Sequence, residues 1–400
     1  MAEKIKLGYG AHPLEITPPE NLLQLLEPNP MPACPDPTAE LERALAEPIN
    51  APAPEELYKP GMKVCIVVAD KTRIFPKTEM IRTLIRHLPS IPDQDLTIVI
   101  GGGNHLYAPP EAHGIDPQLI NRYQVLVHQS LPQDDFIEVG KSQRGTPFKL
   151  NPAVARADLI FGLGQVKPHY FAGYAGGAKA IVPGVSALET IIKNHLLQAD
   201  PRAELGRIKD NPFRQDLDEI INFLPNFYIY NLVMNREGEL VRAFYGHPAS
   251  AYQPALELAR KIAQVPAKTA PLVIVSAPLP LSIDIYQITK LVAPAGKVCQ
   301  ENGVIIVCAQ APDGLVQVGA IMNIIWPMGL PKFLKKNIDI YLVSDARKEE
   351  VEQTFFKYAP SFEFALKQAL KKLGPEPETI IIPDAGMLAP ITSQDQPETW

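Results

Sequence analysis

Short, continuous apolar segments recur along the chain, and amphipathic segments lie between them. Runs rich in Val and Ile are typical of strands that are covered on both faces of a sheet. The apolar segments are residues 63–69, 96–100, 125–128, 159–163, 272–276, 304–309, 338–343 and 379–383, and the amphipathic ones include 77–88, 251–265 and 362–373. This strand–helix alternation predicts an α/β fold built from mostly parallel sheets flanked by helices.

The length of 400 residues exceeds the usual size of a single core, so two domains are expected. A polar segment with two prolines, QVPAKTAP at 264–271, precedes a new predicted strand. We therefore expect an N-terminal α/β domain over 1–268, wrapped by its own segment 1–60, and a C-terminal α/β domain over 269–400. The polar tail after about residue 390 is expected to be loose or packed on the N-terminal domain.

Composition narrows the class of protein. The net charge of −6 disfavours a general nucleic-acid binder, which needs a basic surface. No apolar run is long enough to span a membrane, and the N-terminus lacks the apolar region of a secretion signal, so a cytoplasmic protein is expected. The cysteines show no CxxC spacing, and Cys65 and Cys308 lie in apolar runs, where buried reduced thiols are expected.

Reactive side chains follow three of the predicted strands. Asp70 and Arg73 come after 63–69, His105 comes after the glycines that follow 96–100, and His169 comes shortly after 159–163. Ligands of open α/β sheets collect beyond the carboxyl ends of the strands. If these strands are parallel neighbours, the four side chains share one crevice. The alternatives are a helix N-cap for Asp70 with Arg73 as its surface partner, a turn residue for His105 and a core residue for His169.

The segment 167–195, KPHYFAGYAGGAKAIVPGVSALETIIKNH, is the most informative part of the chain. It places three reactive nitrogens around a glycine-rich bend: those of His169, Lys179 and His195. The bend approaches a phosphate-binding P-loop, but Ala178 and Ala180 replace the second glycine and the magnesium-binding hydroxyl. Similarly, Leu106 stands where a dinucleotide fingerprint starting at Gly101 needs its third glycine. Neither ATP nor NAD binding is predicted. For His195, a cation at a helix C-terminus is the alternative.

In the second domain, YQITK at 286–290 places Gln287 and Lys290 three residues apart, on one face if the segment is helical. An ordinary solvated face is the alternative. The remaining histidines form no constellation and are assigned no role: His12, His87, His113, His128 and His247.

Taken together, these motifs resemble the nickel-pincer lactate racemase family. The resemblance covers DKTR at 70–73, GNH at 103–105, the segment 167–195 and YQITK at 286–290. The long segment is the specific one, because it fits the pattern PHxxAGxxGGxKxxxPGxxxxxTxxxxH at each fixed position. The resemblance implies an isomerase that racemises or epimerises a small 2-hydroxy acid. It implies that hydride is transferred reversibly to the cofactor and that a 2-keto acid is formed on the way.

The resemblance also implies the cofactor, a nickel pincer nucleotide (pyridinium-3,5-bisthiocarboxylic acid mononucleotide nickel). Lys179 matches the lysine that holds it covalently, and His195 matches the single histidine ligand of nickel. Asp70, Gly176 and Gly177 match other positions around the cofactor. Proteins that synthesise the cofactor are implied as partners.

For the substrate, the resemblance implies that His105 and His169 are the two catalytic histidines. Arg73 and Lys290 match substrate-binding cations. Gln287 and Tyr286 match pocket residues of the second domain, which implies a site in the cleft between the domains.

Three departures from the family leave the substrate open: Leu106 and Ala175 stand where arginine and serine are common, and residues 351–360 contain no tryptophan to match an aromatic pocket residue. The alternatives are an oxidoreductase or isomerase of the same fold acting on another substrate class, and a non-catalytic protein that binds the nickel pincer nucleotide. The presence of both His105 and His169 disfavours the non-catalytic alternative.

Overall fold

The computed structural model describes residues 3–88, 90–131, 135–316 and 334–395. The chain forms two compact units. The N-terminal unit is Pro30–Lys261, and the C-terminal unit combines Met1–Asn29 with Ile262–Trp400.

The helices begin mostly at capped or proline-containing first turns, as Asp36 shows by accepting hydrogen bonds from the amides of Thr38 and Ala39. In chain order, the helices of the described residues are α1 Pro37–Ala46, α2 Pro54–Leu57, α3 Lys77–Arg86, α4 Pro117–Arg122, α5 Pro152–Ala155, α6 Leu188–Leu196, α7 Pro212–Asp218, α8 Pro248–Ala263, α9 Ile285–Ile288, α10 Val292–Val298, α11 Lys348–Val351 and α12 Phe362–Leu373.

The strands are mostly short, and the two longest, Ala270–Pro278 and Cys299–Cys308, are neighbours in the C-terminal sheet. In chain order they are β1 Ile5–Leu7, β2 Tyr9–Gly10, β3 Leu14–Ile16, β4 Leu22–Leu25, β5 Val64–Ala69, β6 Leu96–Gly101, β7 Gln124–Val127, β8 Ile137–Lys141, β9 Pro147–Leu150, β10 Leu159–Gln165, β11 Pro168–His169, β12 Gly173–Tyr174, β13 Phe227–Met234, β14 Leu240–Gly246, β15 Gln264–Pro266, β16 Ala270–Pro278, β17 Cys299–Cys308, β18 Asp339–Val343, β19 Lys357–Ala359, β20 Thr379–Ile382 and β21 Ala389–Ile391.

The N-terminal sheet has the strand order β14-β13-β10-β5-β6-β7. All neighbours are parallel except β13 and β14, which pair antiparallel. On one face, Leu41 of α1 and Met80 of α3 join a buried cluster with Ile66 and Ile98 of the sheet. The predicted strands at 63–69, 96–100, 125–128 and 159–163 are confirmed as β5, β6, β7 and β10.

The C-terminal sheet has the strand order β19-β18-β17-β16-β20-β4, with β2 pairing at the end of β16. Every pairing in it is parallel. The predicted strands of this half of the chain are confirmed as parts of β16, β17, β18 and β20, and α12 covers the predicted helix Phe362–Leu373. The predicted α/β class with mostly parallel sheets is therefore confirmed.

The N-terminal segment Met1–Asn29 does not belong to the N-terminal unit, contrary to the expected wrapping. Strand β4 pairs with β20, β2 pairs with β16, and Leu26 is fully buried in the core of the C-terminal unit. Because β4 extends the sheet beyond β20, the main-chain groups of that strand gain partners. The division of the chain into 1–268 and 269–400 thus needs correction at its N-terminal end.

The polar tail also belongs to the C-terminal unit as far as the structure describes it. Strand β21 pairs with β15, and Lys297 forms an ion pair with Asp395 at 2.8 Å. The expectation that the tail is loose or packed on the N-terminal domain is wrong for residues 391–395, and residues 396–400 lie outside the described part.

The cysteine prediction is confirmed. Cys65 and Cys308 are buried and free, and burial raises the pKa of the Cys65 thiol to about 12. Among the described residues, no helix has both the length and the apolar character needed to cross a bilayer.

Candidate functional site

The three strands that precede the reactive side chains are adjacent and parallel. Strand β5 lies between β10 and β6, with Ala69 opposite Gly101 and Val68 opposite Leu163. Their carboxyl ends therefore meet at one edge of the N-terminal sheet, as the sequence predicts. Asp70 and His105 come directly into contact there.

Asp70 and His105 form a hydrogen-bonded pair. The Asp70 Oδ2 atom accepts from His105 Nδ1 at 2.8 Å, and Oδ1 accepts from the Thr72 hydroxyl at 2.6 Å. Burial raises the pKa of Asp70, but His105, Arg73 and Thr72 together hold it well below its usual range. Because the ionised carboxylate only accepts hydrogen bonds, Nδ1 of His105 carries a proton. The lone pair of the neutral imidazole is then on Nε2, as a general base requires.

Arg73 lies beside this pair. Its Nη1 donates to the Thr72 carbonyl at 3.0 Å and to the Thr72 hydroxyl at 2.9 Å, so one residue connects Asp70 to the guanidinium. A guanidinium held in this way suits a bidentate pair with a carboxylate ligand.

The glycine-rich bend brings its backbone close to a buried arginine. Gly176 and Gly177 have φ values of +84° and +62°, in the left-handed region. A Cβ atom on Gly177 would lie 2.7 Å from Nη2 of Arg214, and the Gly177 amide donates to Asn231 Oδ1 at 2.7 Å. These glycines therefore permit a tight turn against Arg214, and the turn leads into Lys179.

The three side chains of the segment 167–195 converge on one ring. We call Phe171, Phe213, His169, Lys179 and His195 the Phe171 cluster. The Lys179 amine lies 5.8 Å and 5.4 Å from the ring centroids of Phe171 and Phe213. The His195 ring lies 5.3 Å and 5.2 Å from the same centroids, and the His169 ring lies 4.6 Å from that of Phe171. The segment thus brings both of its histidines and its lysine to the ring of Phe171.

The surroundings of the Lys179 amine disfavour its charged form. Burial lowers its pKa well below the usual value, and the positive charges of Arg214 and Arg73 lower it further. Arg214 is itself buried, and its Nε donates to Asp218 at 2.6 Å. Within the described ranges, the amine forms neither a hydrogen bond nor an ion pair. A lowered pKa makes a lysine amine a better nucleophile than that of an exposed lysine.

His195 presents the geometry of a metal ligand. Its Nδ1 donates to the Ile191 carbonyl at 2.9 Å within α6, which leaves the lone pair of the neutral ring on Nε2. In the part of the chain that the structure covers, no group of three or more His, Cys, Asp or Glu could hold a metal ion. A metal at His195 would therefore need donors other than the His, Cys, Asp and Glu side chains of the described residues.

His169 differs from His105 in its hydrogen bonding. Its Nδ1 accepts from the Ala172 amide at 3.3 Å, so the proton of the neutral ring is on Nε2. Nδ1 of His105 thus donates to a carboxylate, whereas Nδ1 of His169 accepts from a main-chain amide.

The residues predicted from YQITK also cluster, within the C-terminal unit. Gln287 is buried, its side-chain oxygen accepts from the Lys290 amine, and that amine lies 5.4 Å from the Tyr286 ring centroid. The Asp284 side chain caps α9 by accepting from the Gln287 amide at 2.7 Å. The predicted common face of Gln287 and Lys290 is confirmed.

Several residues of the site were not found by sequence reasoning. They are Thr72, Phe171, Phe213 and Arg214. Thr72 and Phe171 lie inside motifs that were identified, but their side chains carry no reactive group. Phe213 and Arg214 lie in α7, and no spacing in the sequence connects that helix to Lys179.

Fold and site together define an α/β protein whose strand ends present an imidazole and a guanidinium, together with a buried lysine amine of lowered pKa. Residues 7–206 match the model of a protein family described as "Lactate racemase N-terminal domain". The chain is 30% identical over 282 residues to a lactate racemase of Thermoanaerobacterium thermosaccharolyticum, and 28% identical over 286 residues to one of Lactiplantibacillus plantarum. Each alignment covers 68% of this chain and 66% of the relative, so it spans slightly less than two thirds of their length.

Comparison with solved structures agrees with the sequence similarity to lactate racemases. The lactate racemase apoprotein of Thermoanaerobacterium thermosaccharolyticum superposes with a TM-score of 0.86 at 26% identity, covering 97% of this chain and 100% of that one. A protein of Thermotoga maritima shares the fold alone, with a TM-score of 0.67 at 16% identity over 90% of this chain and 99% of that one. The chain belongs to the lactate racemase family.

Proposed function

We propose that this protein is an isomerase that racemises or epimerises a small 2-hydroxy acid with a nickel pincer nucleotide bound to Lys179. The observation that carries the proposal is the Phe171 cluster, in which the Lys179 amine and the His195 ring pack against the same two phenylalanines. The related proteins named lactate racemases support lactate, or a close analogue of it, as the substrate.

The residues present fit such a cofactor. Lys179 offers an amine of lowered pKa for a covalent bond, and His195 offers one imidazole to nickel, a metal that imidazole suits. A cofactor that brings its own donors explains why no protein metal cluster is found among the described residues. When bound, the cofactor would supply a centre that reversibly accepts the hydrogen on the substrate's C2 as hydride.

The protein side chains would bind the substrate and move its hydroxyl proton. Arg73 would hold the carboxylate in a bidentate pair. His105 Nε2 would take the proton from the hydroxyl of one enantiomer, and the ionised Asp70 would stabilise the resulting imidazolium. His169 would serve the other enantiomer, since racemisation needs a base for each hand; to accept the proton, its ring must release the Ala172 amide that occupies Nδ1. The planar 2-keto acid formed in between explains how stereochemistry is lost.

The remaining roles belong to the same proposal. Tyr286, Gln287 and Lys290 would contribute substrate contacts, with the Lys290 ammonium as a second cation for the acid. Asp70, Gly176 and Gly177 would shape the surroundings of the cofactor. Cofactor-synthesising proteins are the proposed partners, and the cytoplasm is the proposed location.

The test compares three proteins produced together with the cofactor-synthesising enzymes: wild type, Lys179→Ala and His105→Gln. Intact mass, nickel content and racemisation of a panel of chiral 2-hydroxy acids are measured. We expect wild type to carry the adduct and turn over at least one acid. Lys179→Ala should lack the adduct, because the variant has no amine at the position that follows the bend, whereas His105→Gln should keep it and lose turnover.

Each outcome bears on a separate part of the proposal. Wild-type protein without an adduct, nickel or turnover would overturn the function. An adduct that persists in Lys179→Ala would show that Lys179 is not the attachment point of the cofactor. Full turnover in His105→Gln would show that His105 is not a catalytic base.

A further inference from the structure

The peptide group between Asp70 and Lys71 is held from both sides by side chains. Its carbonyl, that of Asp70, accepts from the Lys77 amine at 2.7 Å. Its amide, that of Lys71, donates to His113 Nδ1 at 3.0 Å. A peptide group is planar, so two opposing side-chain bonds fix its orientation about the chain.

Lys77 is an unexpected residue at its position. It is only 4% exposed and is the first residue of α3, where the helix dipole disfavours a positive charge. Burial lowers the pKa of its amine to about 8, in spite of the nearby carboxylate of Asp70. A buried cation at a helix N-terminus destabilises the fold unless its contacts compensate, and here the contacts are main-chain carbonyls around the candidate site.

His113 connects the loop after β5 to the loop after β6. Its Nδ1 accepts the hydrogen bond of the Lys71 amide, and its Nε2 donates to the Ala108 carbonyl at 3.0 Å. Ala108 lies in the same loop as His105. Its own carbonyl accepts from the Lys77 amine at 2.9 Å. Lys77 and His113 therefore link the strand-end loops that carry Asp70 and His105. Sequence reasoning gave His113 no role, because its partners are main-chain atoms that no sequence motif identifies.

We propose that Lys77 and His113 are positioning residues that hold the carboxylate of Asp70 in line with Nδ1 of His105. The fixed Asp70–Lys71 peptide sets the direction in which the Asp70 side chain leaves the backbone, and the Thr72 amide and hydroxyl hold Oδ1 at 3.2 Å and 2.6 Å. The 2.8 Å bond of Oδ2 then sets both the ring orientation and the tautomer of His105. The link to catalysis depends on the proposed function of His105. The link to the tautomer does not, because the bond is present in the protein without substrate.

The test uses Lys77→Met, which keeps the length of the side chain but cannot donate, together with His113→Phe and the double variant. Lys63→Met is the matched control, because Lys63 precedes β5 and its amine pairs with Asp95 on the surface. Two readouts are compared. The first is the ¹³Cδ2 chemical shift of the His105 ring in the apoprotein, which reports the tautomer and is assigned through His105→Gln. The second is kcat and KM of the loaded enzyme.

We expect the Lys77→Met and His113→Phe variants to move the His105 shift away from that of the Nδ1–H tautomer. They should lower kcat about 10-fold to 100-fold, the usual range for a lost orienting contact, with KM within about 2-fold and the mass adduct retained. Because both side chains act on one peptide group, the double variant should lose little more than either single variant. Lys63→Met should behave as wild type in both readouts.

Failure of this inference differs from failure of the proposed function. If wild type turns over and the variants keep its kcat and its His105 shift, the positioning role is wrong while the function stands. If wild type has no adduct and no turnover, the function is wrong and the shift alone decides the positioning role. If Lys77→Met does not fold, His113→Phe tests the positioning role, because that variant keeps the lysine. Additive losses of kcat in the double variant would also overturn the positioning role.

Discussion

Two lysines at the candidate site have lowered pKa values, for different local reasons. Lys77 donates to two carbonyls, whereas Lys179 lies over aromatic rings beside the cations Arg214 and Arg73. In both cases burial is the largest cause. The difference in partners separates the two amines: that of Lys77 donates hydrogen bonds, whereas that of Lys179 forms none within the described ranges and is the proposed attachment point of the cofactor.

The lowered pKa of Lys179 predicts how the apoprotein reacts with a small acylating reagent. An exposed lysine is almost fully protonated at pH 7, so its labelling rate rises about 10-fold per pH unit towards its pKa near 10.4. Because its pKa is lowered, Lys179 should show a labelling rate that rises less steeply with pH than the rates of the exposed lysines. Peptide mapping by mass spectrometry between pH 6 and 9 measures the two rates.

The same experiment separates the two causes of the shift. In Arg214→Met a nearby positive charge is removed, so the pKa of Lys179 should rise and its labelling at pH 7 should slow. A labelling rate of Lys179 in wild type that instead rises with pH as steeply as that of the exposed lysines would show that the pKa of Lys179 is not lowered. This result would contradict the proposed role of Lys179 in bonding the cofactor.

At the scale of elements, the bend before Lys179 depends on space as well as backbone conformation. Gly177 has a φ of +62° and no room for a Cβ, whereas Gly238 has a φ of +80° and no heavy atom within 4 Å of its Cβ position. Gly238→Ala should therefore cost only the backbone strain, about 1 kcal/mol. Gly177→Ala should cost clearly more, up to about 3 kcal/mol, and should reduce the adduct on Lys179 because Arg214 and the bend must move apart.

Chemical denaturation of the two glycine variants, with their mass adducts, checks this prediction. Equal losses of stability with full adduct in both would show that contact with Arg214 has no role in the bend.

Sequence reasoning found the elements whose pattern is strong and local. The strands β5, β6 and β10 are continuous apolar runs, and the residues just after them include Asp70 and His105, so the edge of the sheet could be predicted from order alone. The hairpin of β13 and β14 was not predicted, because Tyr, Asn and Arg interrupt its apolar pattern. Lys77 and His113 could not be assigned either, since both are recognised only through main-chain partners that folding brings near.

At the scale of the whole molecule, the error over Met1–Asn29 has the same origin. Strands β1 to β4 are too short to show a period, and β16 and β20, with which β2 and β4 pair, lie in the last third of the chain. The polar, proline-containing segment at 264–271 lay close to the true end of the N-terminal unit at Lys261, because that junction is a local feature. Pairing between strands that are far apart in the sequence leaves no comparable local pattern in the sequence.

The two units predict separate responses to cavities in their cores. Leu26 is buried with Ile380 of the C-terminal sheet, and Leu41 with Ile66 of the N-terminal sheet. Truncation of either leucine to alanine should cost about 2–5 kcal/mol. In hydrogen exchange followed by mass spectrometry, Leu26→Ala should speed exchange in β16 and β20 and leave β5 and β6 protected, because opening is local to the unit that holds the cavity. Leu41→Ala should give the reverse. Faster exchange of β5 and β6 in Leu26→Ala would instead assign the segment Met1–Asn29 to the N-terminal unit.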